Sequence, residues 1–309
     1  MDNTNLSNKG IGELQRSCER FEGYNDGFIL PDTLLMLRID AHRLGDWSKV
    51  GDHYPTGPDI TKLFAETARR LMTSSFRVVL AYAHGDEISL LFDPTENMNP
   101  MRRSKLLSSV ASAAASHFVK LSGLELLFDG RLAELPSAER VVEYLFWQRR
   151  YCFRNAATIA LRRALLASGM PTGEVEKSLQ GITEKRRLEL LEQHGVALDD
   201  IPHATRRGTL FYWDTQVKDG REHFRIVTDA SLTDDDALYV ERLGALVAAA
   251  IGLSGPADPI ISRPSANVDQ QPLSTSPTAA AAPPSAREYR SNKKTNVSVF
   301  KMSSAVAKR

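Results

Sequence analysis

Two short apolar runs, Arg77 to Tyr82 (RVVLAY) and Ile88 to Phe92 (ISLLF), flank the five residues Ala83-His84-Gly85-Asp86-Glu87. Runs this short, bounded by a turn signal, read as β-strands. The interval between them suits a hairpin turn, with Gly85 supplying the backbone angle that other residues resist. That places Asp86 and Glu87 at the end of a sheet, where acids are costly unless they are solvated or do chemistry. A third run, Leu34 to Asp40 (LLMLRID), is again a buried strand and also ends on an acid.

Helices are expected around these strands. Asp59 offers an N-cap, and Ile60, Leu63, Phe64, Ala68 and Leu71 follow at helical spacing. Arg102 to Leu121 is a second helix, with small Ser and Ala positions that let it lie close to a sheet. Ala138 to Ser168 is a long third one, stopped near Gly169 and Pro171. Glu174 to His194 holds two shorter helices around Gly181. Thr209 to Thr228 reads as a hairpin about Asp219-Gly220, and Thr233 with the acids after it opens a last helix to about Ile251. From Ser254 onward Pro, Ser, Ala and Gln dominate, so residues 254–309 are expected to form a mostly disordered tail that turns basic at its end.

The 39 Lys and Arg nearly balance the 38 Asp and Glu. Seven of the basic residues crowd into Arg287 to Arg309 beside a single acid, Glu288, so the rest of the chain is net acidic. A uniformly basic nucleic-acid-binding face is therefore not indicated, and polyanion contacts must come from local clusters. Cys18 and Cys152 are too few for a disulfide framework or a thiolate metal site. No apolar stretch is long enough to span a bilayer, and residues 1–20 lack the apolar core of a signal peptide, so a cytoplasmic setting is expected.

Asp40 and Asp86 at neighbouring strand ends are the minimum needed to hold Mg²⁺, which takes oxygen ligands and fills its sphere with phosphates and water. Two such ions ~3.5–4 Å apart serve phosphoryl and nucleotidyl transfer. A backbone carbonyl at Ala41 adds a further ligand. From spacing alone, a turn or cap role for both acids weighs more. His42 and His84 flank them and titrate near neutral pH, although a plain turn role weighs more. Arg102, Arg103 and Lys105 open a helix, a place that favours phosphate. Arg149, Arg150 and Arg154 share one helix, and Arg206 and Arg207 precede Gly208; each set is readable as an RNA contact or as a solvated surface. Trp47, Tyr54 and Trp147 are candidate base-stacking groups, with core packing favoured for Trp147.

Taken in order, these segments resemble the tRNA(His) guanylyltransferase family and its bacterial and archaeal relatives over roughly Phe21 to Trp213. The segments are Leu37-Arg38-Ile39-Asp40, Ala81 to Phe92, Arg102 with Ser104 and Lys105, Phe128-Asp129-Gly130-Arg131, Tyr144 to Trp147, Arg154-Asn155-Ala156, Leu179-Gln180-Gly181, Glu189-Leu190-Leu191, Pro202 and Arg206-Arg207-Gly208. The resemblance implies an α+β, polymerase-palm-like antiparallel sheet flanked by helices, occupying residues 21–253. It implies addition of nucleotides to the 5′ end of tRNA or tRNA-like RNA in the 3′–5′ direction, with ATP or GTP as substrate and two Mg²⁺ ions. It implies metal ligation by Asp40, the Ala41 carbonyl and Asp86, with Glu87 assisting. Asp40, Ala41, His42, Arg43, Leu44 and Gly45, with Gly85, Asp86, Arg102 and Lys105, would lie along the nucleotide. It implies a homo-oligomer, a dimer of dimers.

The sequence also departs from the family pattern. Ala41 replaces a glycine, Thr56-Gly57-Pro58-Asp59 lacks a lysine tied to triphosphate handling, and Phe153-Arg154-Asn155-Ala156 replaces a motif associated with tRNA(His) enzymes. Repair of 5′ ends therefore fits better than selection of tRNA(His). Two alternatives stand beside this reading: a nucleotide cyclase, because Gly85-Asp86-Glu87 resembles the GGDEF hairpin, and a non-catalytic RNA-binding descendant.

Overall fold

In the computed structural model, residues 27–30, 32–42, 44, 58–94, 102–218, 221–229 and 233–252 are described. Residues 1–26, the stretch with Arg43, Gly45, Trp47, Tyr54, Thr56 and Gly57, and the tail from residue 253 lie outside them.

The chain order is β1 (Leu34–Ala41), α1 (Pro58–Met72), β2 (Val78–His84), β3 (Glu87–Phe92), α2 (Arg103–Ser122), β4 (Phe128–Leu135), α3 (Ala138–Ala167), α4 (Thr172–Leu179), α5 (Glu184–Gln193), α6 (His203–Arg207), β5 (Thr209–Lys218), β6 (Arg221–Asp229) and α7 (Asp236–Gly252). The six strands form one antiparallel sheet in the order β4-β1-β3-β2-β5-β6. The first four are a split βαββαβ unit, and the β5–β6 hairpin extends it past β2. Expectation and structure agree on an antiparallel sheet flanked by helices.

Strand alternation divides the sheet into two buried faces. Leu35, Leu37, Ile39, Ile88, Leu90 and Phe92 point to α1 and α2, where Phe64, Leu71, Val110 and Phe118 complete one core. Met36, Leu80, Tyr82, Leu91 and Leu210 point the other way, to Val141 and Leu145 of α3 and Tyr239, Leu243 and Val247 of α7. The far half of α3 packs with α4 and α5 around Leu161, Leu165, Val175 and Leu191.

Local structure differs from the sequence reading at three points. The β2–β3 turn is only Gly85-Asp86, so His84 and Glu87 are paired ladder residues rather than loop residues. Gly85 has φ +54°, the positive first position that two-residue hairpins favour. Phe128 to Leu135 is an edge strand, with Gly130 where α2 crosses closely; a Cβ there would meet Leu107 Cδ2 at 3.0 Å. The last helix is capped by Asp235 rather than Thr233: its Oδ1 accepts from the N–H groups of Ala237 (2.8 Å) and Leu238 (3.0 Å). Asp235→Ala should cost about 1 kcal/mol of stability in denaturant titration, the usual worth of such a cap.

Candidate active site

Antiparallel register lines up Asp129, Asp40, Glu87 and His84 across β4, β1, β3 and β2, all on the α3 face. The next row towards the sheet centre is Arg131, Arg38, Ser89 and Tyr82. Asp86 joins from the hairpin turn. The Ala41 N–H donates to the Asp86 carbonyl at 3.1 Å, so the end of β1 is tied to the turn and Asp40 is brought beside Asp86.

The charge at this sheet end is self-repelling. Burial first, then the charges of Asp86 and Asp129, push the Asp40 carboxyl up to about 6 against the opposing pull of Arg38 and Arg131. Burial likewise raises Asp86, with Glu87 adding to it. Glu87 is raised by burial although the Arg38 guanidinium, 3.1 Å away, opposes the shift. Burial that raises several neighbouring carboxylates together favours whatever neutralises them, a proton or a cation.

This has a consequence for stability. The unfolded Asp titrates near 3.8 and folded Asp40 near 6. Between those values the native state holds the extra proton, so stability falls as pH rises from about 4 to about 6 and stays reduced above. Asp40→Asn should therefore raise the thermal midpoint of cation-free protein at pH 7.5. That gain should vanish below pH 4, as scanning calorimetry at both pH values would reveal.

Behind the carboxylates a buried polar network fixes Glu87. Turned so that both ends of its amide are paired, Gln148 of α3 donates to His84 Nε2 (2.8 Å) and Glu87 Oε2 (3.2 Å), while its oxygen accepts from Arg38 Nη1 (3.1 Å). His84 is buried, and desolvation holds it down at about 4. It is thus a neutral hydrogen-bond acceptor rather than a proton shuttle near neutral pH. His42 stays exposed, with Nδ1 3.8 Å from Asp129 Oδ2.

The other expected site residues scatter. Ala41 turns its methyl group into the core and has ordinary strand φ, so the backbone does not require a glycine there. Leu44 packs against the same core. Arg43 and Gly45 fall outside the described residues. Arg102 and Lys105 are exposed at the opposite end of the sheet from Asp40. Their neighbour Arg103 grips Glu134 (2.8 and 3.2 Å) five residues up β4 from Asp129, about 17 Å away at ~3.4 Å per residue. Within one chain they do not meet the carboxylates.

Arg206 and Arg207 are committed to ion pairs with Asp199, Asp234 and Asp236 that tie α6 to the start of α7. Arg149 is fully buried against the Tyr239 ring, 3.9 Å from its centroid, and Arg150 pairs with Glu184 and Asp236. Arg150 and Arg154 are both exposed, Arg154 lying over Tyr151. Asp129, Arg131, Arg38 and Gln148 were given no site role from the sequence. The Phe128-Asp129-Gly130-Arg131 segment was the available signal for two of them.

Among the described residues, no group of three or more His, Cys, Asp or Glu side chains is arranged to hold a metal. Two carboxylates and a backbone oxygen suit Mg²⁺ nonetheless, because that ion keeps several waters and borrows substrate phosphates. Also among the described residues, no helix is long and apolar enough to cross a membrane.

The family model described as tRNA(His) guanylyltransferase (Thg1) matches residues 15–138, which span β1 through β4 and so the whole carboxylate row. Over these residues the chain resembles the tRNA(His) guanylyltransferase family. A probable tRNA(His) guanylyltransferase of Drosophila melanogaster is 29% identical over 209 residues, 63% of this chain and 73% of the relative. The tRNA(His) guanylyltransferase of Schizosaccharomyces pombe is 27% identical over 231 residues, 67% and 88% of the two chains. A bacterial Thg1-like protein solved in complex with ATP shares the fold at TM-score 0.57 and 20% identity, covering 75% of this chain and all of that one. The Saccharomyces cerevisiae family member does so at TM-score 0.56 and 22% identity, covering 70% and 96%. Family and fold thus agree with the resemblance read from the sequence.

Proposed function

We propose that this chain is a nucleotidyltransferase that adds nucleotides to the 5′ end of tRNA or a tRNA-like RNA in the 3′–5′ direction. ATP or GTP is the substrate, and the role extends to 5′-end repair. The observation that carries it is the pairing of Asp40 with Asp86 at one sheet end, where burial and mutual repulsion push Asp40 to about 6. Its relatives are named guanylyltransferases, and structural neighbours are described with ATP and GTP.

Asp40, Asp86 and the Ala41 carbonyl would hold Mg²⁺. When bound, the ions neutralise phosphate charge and make the attacking hydroxyl more acidic. The protein's own part is positioning. Glu87 is held by Arg38 and Gln148, so it shapes the field at Asp40 without being free to swing toward a ligand. Arg38 and Arg131 limit the negative charge that an incoming triphosphate would meet. A dimer of dimers and a cytoplasmic setting belong to the same proposal.

The test is extension of a 5′-truncated tRNA by wild-type protein with Mg²⁺ and each NTP in turn. Products one or more nucleotides longer at the 5′ end are expected. Absence of extension across all NTPs and several RNAs, or a cyclic product from NTP alone, would overturn the proposal.

A further inference from the structure

The sequence favours core packing for Trp147, and the structure exposes it instead. Trp147 is 48% exposed. It sits on α3 one residue before Gln148, and its ring meets the row of side chains next to the carboxylates. The Arg38 guanidinium lies 5.5 Å from its centroid. Tyr144 meets it edge-on at 5.4 Å, and Tyr151 follows at 6.4 Å. Arg154 then covers Tyr151 at 4.7 Å. Tyr144, Trp147, Tyr151 and Arg154 are spaced by three, four and three residues, so they run along one side of the helix.

Flat rings interleaved with guanidinium groups match one chemistry above others: stacked bases joined by phosphates. Length selects the occupant. Trp147 to Arg154 covers about 10 Å of helix at 1.5 Å per residue, more than one stacked base at ~3.4 Å needs. We propose that Trp147, with Tyr151 and Arg154, forms a stacking track for the unpaired end of the RNA strand, leading it to Asp40 and Asp86. This rests on the nucleotidyl-transfer reading for the class of substrate. It adds a strand-holding surface on α3 that recognises bases by their faces, without sequence readout.

The experiment measures binding separately from turnover. Trp147→Ala, Trp147→Leu and Trp147→Phe are titrated with a short single-stranded RNA and, separately, with GTP and ATP, by calorimetry or anisotropy. Thermal midpoints near that of wild type show that the half-exposed position tolerates each change. RNA affinity should fall roughly 5- to 100-fold in the Ala and Leu variants and largely return in the Phe variant, the range for losing one base stack. In tRNA extension, KM for RNA should rise while kcat holds. Unchanged RNA affinity in both Ala and Leu variants overturns the proposal, as does a loss confined to GTP and ATP. If wild-type protein binds RNA through Trp147 yet extends nothing, the transfer reading fails and the track stands. Extension with Trp147-independent RNA binding has the reverse meaning.

Discussion

Asp40→Asn and Asp86→Asn should each lower 5′ extension of tRNA at least about 100-fold, measured in single turnover at saturating Mg²⁺. Losing one preorganised charge-stabilising group at a reaction centre typically costs ~10²–10³-fold in rate, and a ligand to the ion itself belongs at the upper end. The fold should survive. Asn is nearly isosteric, and removing a carboxylate whose proton affinity is already raised relieves repulsion at the sheet end. The expected pattern is therefore paired: activity falls while the thermal midpoint of cation-free protein holds or rises at pH 7.5. Asp129→Asn should do less, because Asp129 is exposed on the edge strand and acts on Asp40 at a distance. Retention of more than a tenth of wild-type extension by Asp86→Asn would remove it from the reaction.

Gly208→Ala is expected to be the most damaging small substitution for stability. Gly208 has φ +74° and ψ −173°, a region open essentially to glycine alone. A Cβ there would lie 2.4 Å from the Tyr82 hydroxyl oxygen and 2.5 Å from Cζ. Tyr82 is fully buried, and its hydroxyl donates to the Arg207 carbonyl at 2.6 Å, so the ring has nowhere to withdraw. Backbone strain and overpacking each cost ~1–3 kcal/mol, so a loss on the order of 3 kcal/mol is expected. That corresponds to a fall in thermal midpoint of roughly 6–12 °C for a domain of this size. Tyr82 also lies against His84, 5.3 Å between ring centroids, so the damage should reach the Gln148–Glu87 network and depress activity as well. An unaltered midpoint would mean that this loop relaxes freely.

Arg206-Arg207-Gly208 thus has a structural rationale in this fold, although the sequence presented its arginines as candidate phosphate contacts. Two like charges in a loop look available to an anion when their partners are 27 or 28 residues away in Asp234. His84 misled for a related reason. Beside a glycine it reads as a turn residue, but the turn is two residues shorter at its start and one at its end, and ladder pairing buries the ring.

What the sequence determined by itself was local and periodic. Short apolar runs ending on Asp40 and flanking Gly85-Asp86 specified strands and a hairpin, because alternation and a positive-φ glycine are properties of neighbouring residues. Order along the chain carried the family resemblance. Only the tertiary structure decided which groups share a site. Strand register set Asp129 beside Asp40, α3 laid Gln148 onto Glu87 and left Trp147 in solvent, and the direction of α2 carried Arg102 and Lys105 to the far end of the sheet. Those outcomes depend on how elements distant in sequence are paired and oriented, and a linear pattern does not encode that geometry at single residues.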